Sequence, residues 1–290
     1  MIQEIQAKKV LSFHDDPFPT HWDLNPYRGC TIGCKYCFAQ YSHKYLDLTD
    51  FFKNIIVKTN VSECLDKEFH AKKWTKEQIK IGGTTDIYQH SEKKYELLPK
   101  IFKIVKKYKN PIFIQTKSTL ILRDFELIKD LSKVTKVDIA TSISTFDENV
   151  RKIIEPGASS AQERIQMLAK FNGICRTTLA GFMPIIPLLS DTDENLDITF
   201  RTIKEYGIDV LITSYLHLRG DLKTKFLSVI YNHFPDISSP FEKLYKYSAV
   251  DEHYATTKKS RLTALRKKYN LYGRYHPVEK DLLPEQLKIF

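Results

Sequence analysis

Two patterns alternate along the chain. Short apolar runs of strand type are each followed by a longer segment whose apolar residues recur at helical spacing. "IKIGG" (79–83) predicts a buried strand, and "EKKYELLPKIFKIVKKY" behind it predicts a helix. "PIFIQT" (111–116) repeats the strand, and "LRDFELIKDLS" the helix. "KVDIATSIS" (136–144) leads through a loop into "SAQERIQMLAKF". "CRTTLAGFMPIIP" (175–187) leads into "DENLDITFRTIKEY", and "DVLITSYLHL" (209–218) is the last strand. Strands alternating with helices predict an α/β protein with a parallel sheet and helical crossovers. With one further unit beginning near Cys30, six units predict a partial (β/α)6 TIM-like barrel over residues 1–221. In such a barrel chemistry gathers at the carboxyl ends of the strands. Residues 222–290 read as a mainly helical, aromatic-rich extension packed on the barrel, able to cap it or hold a substrate.

The 290 residues are 42% hydrophobic, enough for a sizeable core. No apolar run approaches the roughly 18 residues of a membrane span. The start, "MIQEIQAKKVLSFHDDPF", has no signal-peptide core. A cytoplasmic enzyme is expected, in a compartment where clustered cysteines bind metal or do redox chemistry. No coiled-coil heptads appear, so a monomer is expected. The net charge is +10. The stretch 257–275 carries Lys258, Lys259, Arg261, Arg266, Lys267, Lys268 and Arg274 and no acid. It reads either as a contact for a polyanion, DNA or RNA, or as a solvated helix face.

"NPYRGCTIGCKYCFAQ" (25–40) holds Cys30, Cys34 and Cys37 in a C-x3-C-x2-C array. Thiolates select zinc, copper(I) and iron–sulfur clusters. Structural zinc takes four ligands, usually as two pairs. Here Cys64 and Cys175 are isolated, so His43 would have to complete a Cys3His site. A 4Fe–4S cluster normally takes four cysteines. With three, one iron stays open to another ligand, which points to catalysis. The remaining histidines are scattered and form no metal pair at helical spacing.

Other motifs sit where strands end. Gly82 and Gly83 allow a backbone to approach a ligand closely, or serve a tight turn. Asp86, just beyond them, suits a helix cap. Lys117, just past an apolar strand, is solvated or aimed at an anion. Ser142 and Ser144 share a strand face, and Ser142 is the better hydroxyl ligand. Ser160 or Ser159 with Glu163 reads as a capping box. Glu155 is read as an ion-pair partner, and Arg164 as that partner or a cofactor contact. Pro184 and Pro187 fix a strand exit.

The cysteine array with Tyr36 before its last member resembles the radical S-adenosylmethionine superfamily. "NPYRGCTIGCKYCFAQ", "GGTTDIYQHSEKKY", "IQTKSTLILRD", "SISTFDENVRKIIEPGASSAQERIQML" and "MPIIPLLSD" resemble its spore photoproduct lyase-like branch, also called DNA repair photolyase-like. The resemblance runs from Asn25 to Asp191. It implies a 4Fe–4S cluster on Cys30, Cys34 and Cys37 and S-adenosylmethionine chelated at the open iron. It implies cleavage to a 5′-deoxyadenosyl radical that abstracts hydrogen, with electrons from a reductant such as flavodoxin or ferredoxin. It places Gly83, Thr84, Thr85 and Asp86 by the methionine amino group, Asp86, Tyr88 and Gln89 at the site mouth, and Lys117 by the methionine carboxylate. Ser142 and Arg164 are further cofactor contacts, Pro184 lies near adenine, and Tyr36 and Tyr88 are the catalytic candidates.

Two departures bear on the return of hydrogen. Spore photoproduct lyase uses a cysteine near the end of the second barrel strand, where this chain reads "IKIGGTTD". It also has tyrosines on both sides of the last cluster cysteine, where this chain has Tyr36 and Phe38. Cys64, Cys175 or Tyr88 would have to substitute, and Cys175 falls at the amino end of its strand. A related enzyme acting on nucleic acid is expected. A radical enzyme on a peptide or small molecule, and a zinc-stabilised nucleic-acid binding protein without catalysis, are the alternatives.

Overall fold

The computed structural model describes residues 1–15, 20–46, 48–71 and 74–276. Among the described residues ten strands run in order: β1 (Ile2–Ile5), β2 (Leu11–Phe13), β3 (Trp22–Leu24), β4 (Tyr27–Arg28), β5 (Ile55–Lys58), β6 (Ile79–Ile81), β7 (Ile112–Gln115), β8 (Val137–Ile143), β9 (Thr177–Ile185) and β10 (Val210–Tyr215). The helices are α1 (Val61–His70), α2 (Glu92–Tyr95), α3 (Leu97–Tyr108), α4 (Phe125–Ser132), α5 (Glu148–Ile154), α6 (Ala161–Ala169), α7 (Asp193–Glu205), α8 (Asp221–His233), α9 (Pro235–Leu244) and α10 (Glu252–Tyr269).

The main sheet has the order β10-β9-β8-β7-β6-β3-β2. From β3 to β10 its six strands are parallel, and β2 adds an antiparallel edge. This is the predicted partial barrel. Every residue of β8 is buried, as expected of a parallel strand covered on both faces. The register Leu24–Ile81–Ile114–Ile139 levels the strands. Their carboxyl ends therefore open on one side of the molecule.

Two differences from the sequence pattern have local causes. Between the first barrel strand, β3, and the next, β6, the chain adds β4 and β5 to a separate sheet of order β1-β5-β4, and the cysteine segment lies between β4 and β5. The predicted helix over 92–108 breaks at Glu96, in the left-handed region with φ 45°. The buried Glu92 carboxylate there accepts from Leu97 N and Leu98 N, both at 3.1 Å, capping α3 from the preceding turn. The capping box on α6 forms as expected, between Ser160 and Glu163.

The helices after residue 220 divide between two tasks. Leu222, Phe226 and Ile230 of α8 and Phe241 of α9 join Cys30, Ile32, Cys34 and Tyr36 in one apolar cluster. Helix α10 straps α7 and the β10 edge. Arg261 pairs with Asp193 at 2.9 Å, Lys268 with Asp197 at 2.7 Å, and Arg266 donates to the Leu211 carbonyl at 3.0 Å. The chain then crosses the barrel floor, where Tyr275 donates to Gln78 at 2.9 Å and Asp138 at 3.1 Å. The last part of the expected extension, 277–290, lies outside the described residues.

Candidate active site

The carboxyl ends of the strands surround a cavity of about 720 Å³. Cys30, Cys34, Cys37, Tyr36, Gly83, Thr84, Thr85, Asp86, Lys117, Ser142 and Pro184 all line it. Segments up to 154 residues apart in the chain, from Cys30 to Pro184, thus meet at one place. The outer wall comes from Ser214 to Lys225, which the sequence did not single out.

The cysteine loop is braced from both sides. Gly29 has φ 78°, and a Cβ there would sit 2.3 Å from the Asn54 carbonyl, so the turn requires glycine. The Gly29 carbonyl accepts from the Thr85 hydroxyl at 2.6 Å and the Gln89 amide at 3.1 Å. Gln89 also accepts from Thr31 N at 3.0 Å. On the other side, Gly157 N donates to Ile32 O and Lys35 N to Ile154 O, both at 2.8 Å. Gln89 is therefore a brace beneath the loop and not a mouth residue. Thr85 has the same duty, because its hydroxyl also accepts from Gln89 at 3.0 Å. Gly83 leaves room for a carboxylate of the chain itself, since a Cβ would stand 2.0 Å from Asp23 Oδ2.

Asp86 organises the strand exits. Its carboxylate accepts from Tyr88 N at 2.9 Å, from the Thr116 hydroxyl at 2.7 Å and from Lys117 N at 2.7 Å. Its own N–H donates to Cys30 Sγ at 3.4 Å. Burial pushes the Asp86 carboxyl above its ordinary value in spite of these donors. Lys117 Nζ donates to the Ser142 hydroxyl and lies 6.0 Å from the Tyr36 ring centre. Burial disfavours the Lys117 charge, but Cys34, Glu155 and Asp86 outweigh it and hold the ammonium above its usual value.

Tyr36 stands on a buried ionic network. Its phenol donates to the Glu155 carboxylate and accepts from the Ser144 hydroxyl at 3.0 Å. Glu155 is paired with Arg164 at 2.7 Å, and neither side chain has any solvent exposure. Burial works against the Glu155 charge, yet Arg164 and Lys117 carry its pKa below the ordinary value. Arg164 also donates to the Ser142 carbonyl. Arg164 is therefore corrected from a cofactor contact to the partner of Glu155. The sequence reading of Glu155 as an ion-pair residue is what the structure has, and its hold on Tyr36 is new.

Three further expectations are corrected. Tyr88 is fully buried and donates to Asp124 at 3.0 Å, away from the cavity lining. Cys64 donates to the Ala7 carbonyl at 3.1 Å, and Cys175 lies 3.5 Å from the Ser132 hydroxyl, both off the cavity. His43 bonds through Nε2 to the Asn54 carbonyl at 2.8 Å and packs on Phe51, so it does not complete a Cys3His zinc site. Tyr254, just before the basic stretch, packs on Tyr215 of the cavity lining, but no residue of 257–275 lines the cavity, and the stretch ends with Tyr275 at the amino end of the barrel strands.

The donor set suits a three-cysteine iron–sulfur cluster. Three thiols share one cavity wall, while among the described residues no group of three His, Cys, Asp or Glu converges on a single ion. A cluster spreads its thiolates over separate irons, so it tolerates that spacing. Burial pushes the Cys30 thiol up to about 12 and raises Cys34 and Cys37 too. Only a strongly cationic group would hold all three as thiolates.

Among the described residues, no helix is long and apolar enough to cross a membrane. Residues 24–203 match the family described as the Radical SAM superfamily. An uncharacterized protein of Mycobacterium tuberculosis is 31% identical over 280 residues, covering 94% of this chain and 82% of its own length. An uncharacterized protein of Methanocaldococcus jannaschii is 32% identical over 194 residues, covering 66% of this chain and 70% of its own length. Among solved structures, a spore photoproduct lyase variant with bound AdoMet and dinucleoside spore photoproduct has a TM-score of 0.69 at 15% identity, covering 92% of this chain and 79% of its own. A second spore photoproduct lyase variant has a TM-score of 0.68 at 17% identity over the same shares of both chains. The fold is thus that of spore photoproduct lyase, and the chain belongs to the radical SAM superfamily, whose enzymes use a 4Fe–4S cluster and S-adenosylmethionine.

Proposed function

We propose that this radical SAM enzyme abstracts hydrogen from a nucleic-acid substrate, DNA or RNA, bound at the outer side of the cavity. The observation that carries the reading is the meeting of three thiols with Lys117, Asp86 and Ser142 around one cavity. When bound, the cluster and S-adenosylmethionine supply a 5′-deoxyadenosyl radical. Cys30, Cys34 and Cys37 would hold the cluster. Lys117, a buried cation beside Ser142, suits the methionine carboxylate. With the Thr85 hydroxyl already engaged, Thr84 is the hydroxyl left for the amino group, and Asp86 gives the charge behind it. Pro184 with Met183 provides an apolar wall for adenine.

Tyr36 is the group we assign to hydrogen return. It lines the cavity, and its O–H, which rests on Glu155, would turn to the substrate carbon radical, forming the C–H bond and leaving a Tyr36 phenoxyl that the one-electron reductant, with a proton, returns to the phenol. Cys64, Cys175 and Tyr88 stand elsewhere. Support for a nucleic-acid substrate comes from the spore photoproduct lyase structure that holds a dinucleoside ligand, and from the cations on the outer wall. A cavity of about 720 Å³ also suits a small molecule, which is the second reading.

The test is 5′-deoxyadenosine formation by anaerobically reconstituted protein with dithionite and S-adenosylmethionine. Ultraviolet-irradiated DNA and RNA are added in separate arms, with Cys34→Ala as control. Product that needs Cys34 and rises with nucleic acid supports the proposal. Product that needs Cys34 and ignores both nucleic acids shifts the substrate to the second reading.

A further inference from the structure

We infer that the outer wall of the cavity is a binding rim for single-stranded nucleic acid, with His217, Arg219 and Lys225 taking phosphates and Phe38 and Tyr41 stacking bases. This rests on the nucleic-acid reading above and gives it a location. All five residues line the cavity that holds the three thiols. Phe38 is 59% exposed and Tyr41 52%, both in the helical turn directly after Cys37. They are tied covalently to the cluster loop, so a base stacked on them lies beside the cofactor end of the cavity.

The rim cations, Arg219 and Lys225, differ in kind from Lys117 at the cavity floor. Lys117 is already engaged by Ser142. His217, Arg219 and Lys225 are exposed, and none makes an ion pair or side-chain hydrogen bond among the described residues. Asp221 shares their wall, and the other cavity carboxylate, Asp86, is occupied by Tyr88, Thr116 and Lys117. The rim is therefore net cationic and solvated. Exposed rings and uncommitted cations around one cavity suit a flexible polyanion with planar faces. An intact duplex would not enter a cavity of about 720 Å³, so the reacting nucleotide must be unpaired or flipped.

Two competing arrangements are less well served. The basic stretch 257–275 leads away from the mouth, with Arg261, Arg266 and Lys268 committed to Asp193, Leu211 O and Asp197. An extended peptide would pair with the β10 edge, but Arg266 occupies the Leu211 carbonyl there and donates to the Thr213 hydroxyl at 3.2 Å.

The experiment measures anisotropy of a short fluorescein-labelled oligothymidylate on the reconstituted holoenzyme at two salt concentrations. Circular dichroism confirms that each variant is folded. Wild type is expected to bind with an affinity that falls as salt rises. The double variant Arg219→Ala/Lys225→Ala should bind about 10-fold or more weakly, with a salt slope shallower by roughly 1.4. Phe38→Ala should bind about 10-fold more weakly at an unchanged salt slope. The control Lys259→Ala/Lys267→Ala should match wild type. Wild-type affinity in the rim double variant, or loss only in the control, overturns the rim. So does equal binding of a labelled oligoglutamate, which would assign the wall to acidic peptide. Absent binding in a wild type that still forms 5′-deoxyadenosine removes the rim and leaves the cofactor chemistry in place. Binding intact with no cofactor cleavage does the reverse.

Discussion

At the floor of the cavity charges are buried and matched. Glu155 meets Arg164 and Tyr36, Asp86 accepts three donors, and Lys117 meets Ser142. At the rim, His217, Arg219 and Lys225 stand in solvent without such partners among the described residues. A charge without water must find fixed partners, and fixed partners hold geometry. A solvated charge is cheap to keep and acts at longer range, though salt screens it. The floor therefore suits a cofactor whose position must not vary. The rim suits a substrate that arrives by diffusion and differs along its length.

The largest effect is expected where the floor loses a thiol. Cys34→Ala should abolish 5′-deoxyadenosine formation and diminish the iron–sulfur absorbance of the reconstituted protein. Retained activity would break the assignment of the floor. Next, Glu155→Ala should lower unfolding stability by about 3–5 kcal/mol, because it strands a buried Arg164. Denaturant unfolding of the two proteins measures this, and a loss under about 1 kcal/mol would mean that water reaches the pair.

Lys117→Met should weaken S-adenosylmethionine binding about 10- to 100-fold, the worth of a charge-assisted hydrogen bond of roughly 1.5–3 kcal/mol. Isothermal titration on the reconstituted protein reads it. Acid then sharpens the contrast. The folded Glu155 pKa lies below the ordinary value of about 4.3, so its contribution is complete above that pH and is lost as pH falls through the folded value. The stability gap between wild type and Glu155→Gln should therefore be wide at neutral pH and close under acid. A gap independent of pH would remove the ionised pair from the explanation. The smallest effect belongs to the rim: Arg219→Ala should leave the unfolding free energy, read by denaturant unfolding, within about 0.5 kcal/mol of wild type.

The floor was largely legible in the sequence and the rim was not. Cys30, Cys34, Cys37, Lys117 and Ser142 stand at strand ends or in one compact array, which pattern and spacing mark, and the family resemblance joined them into one site. The misplacements concern orientation. Tyr88 lies only two residues beyond Asp86, yet it turns into the core to meet Asp124, a partner 36 residues away. Arg164 looked able to reach a cofactor, and its burial beside Glu155 decided otherwise.

What the sequence by itself determined is the α/β order, the six parallel strands, the cysteine array and the class of chemistry. Apolar periodicity and close ligand spacing are local properties, and a chain records them locally. Only the tertiary structure decided that Glu155 serves Tyr36 across 119 residues. It alone carried the basic stretch to the amino end of the barrel, away from the cavity, and brought Arg219 and Lys225 to the cavity. Those outcomes depend on which helix packs on which sheet edge, and no short segment carries that information.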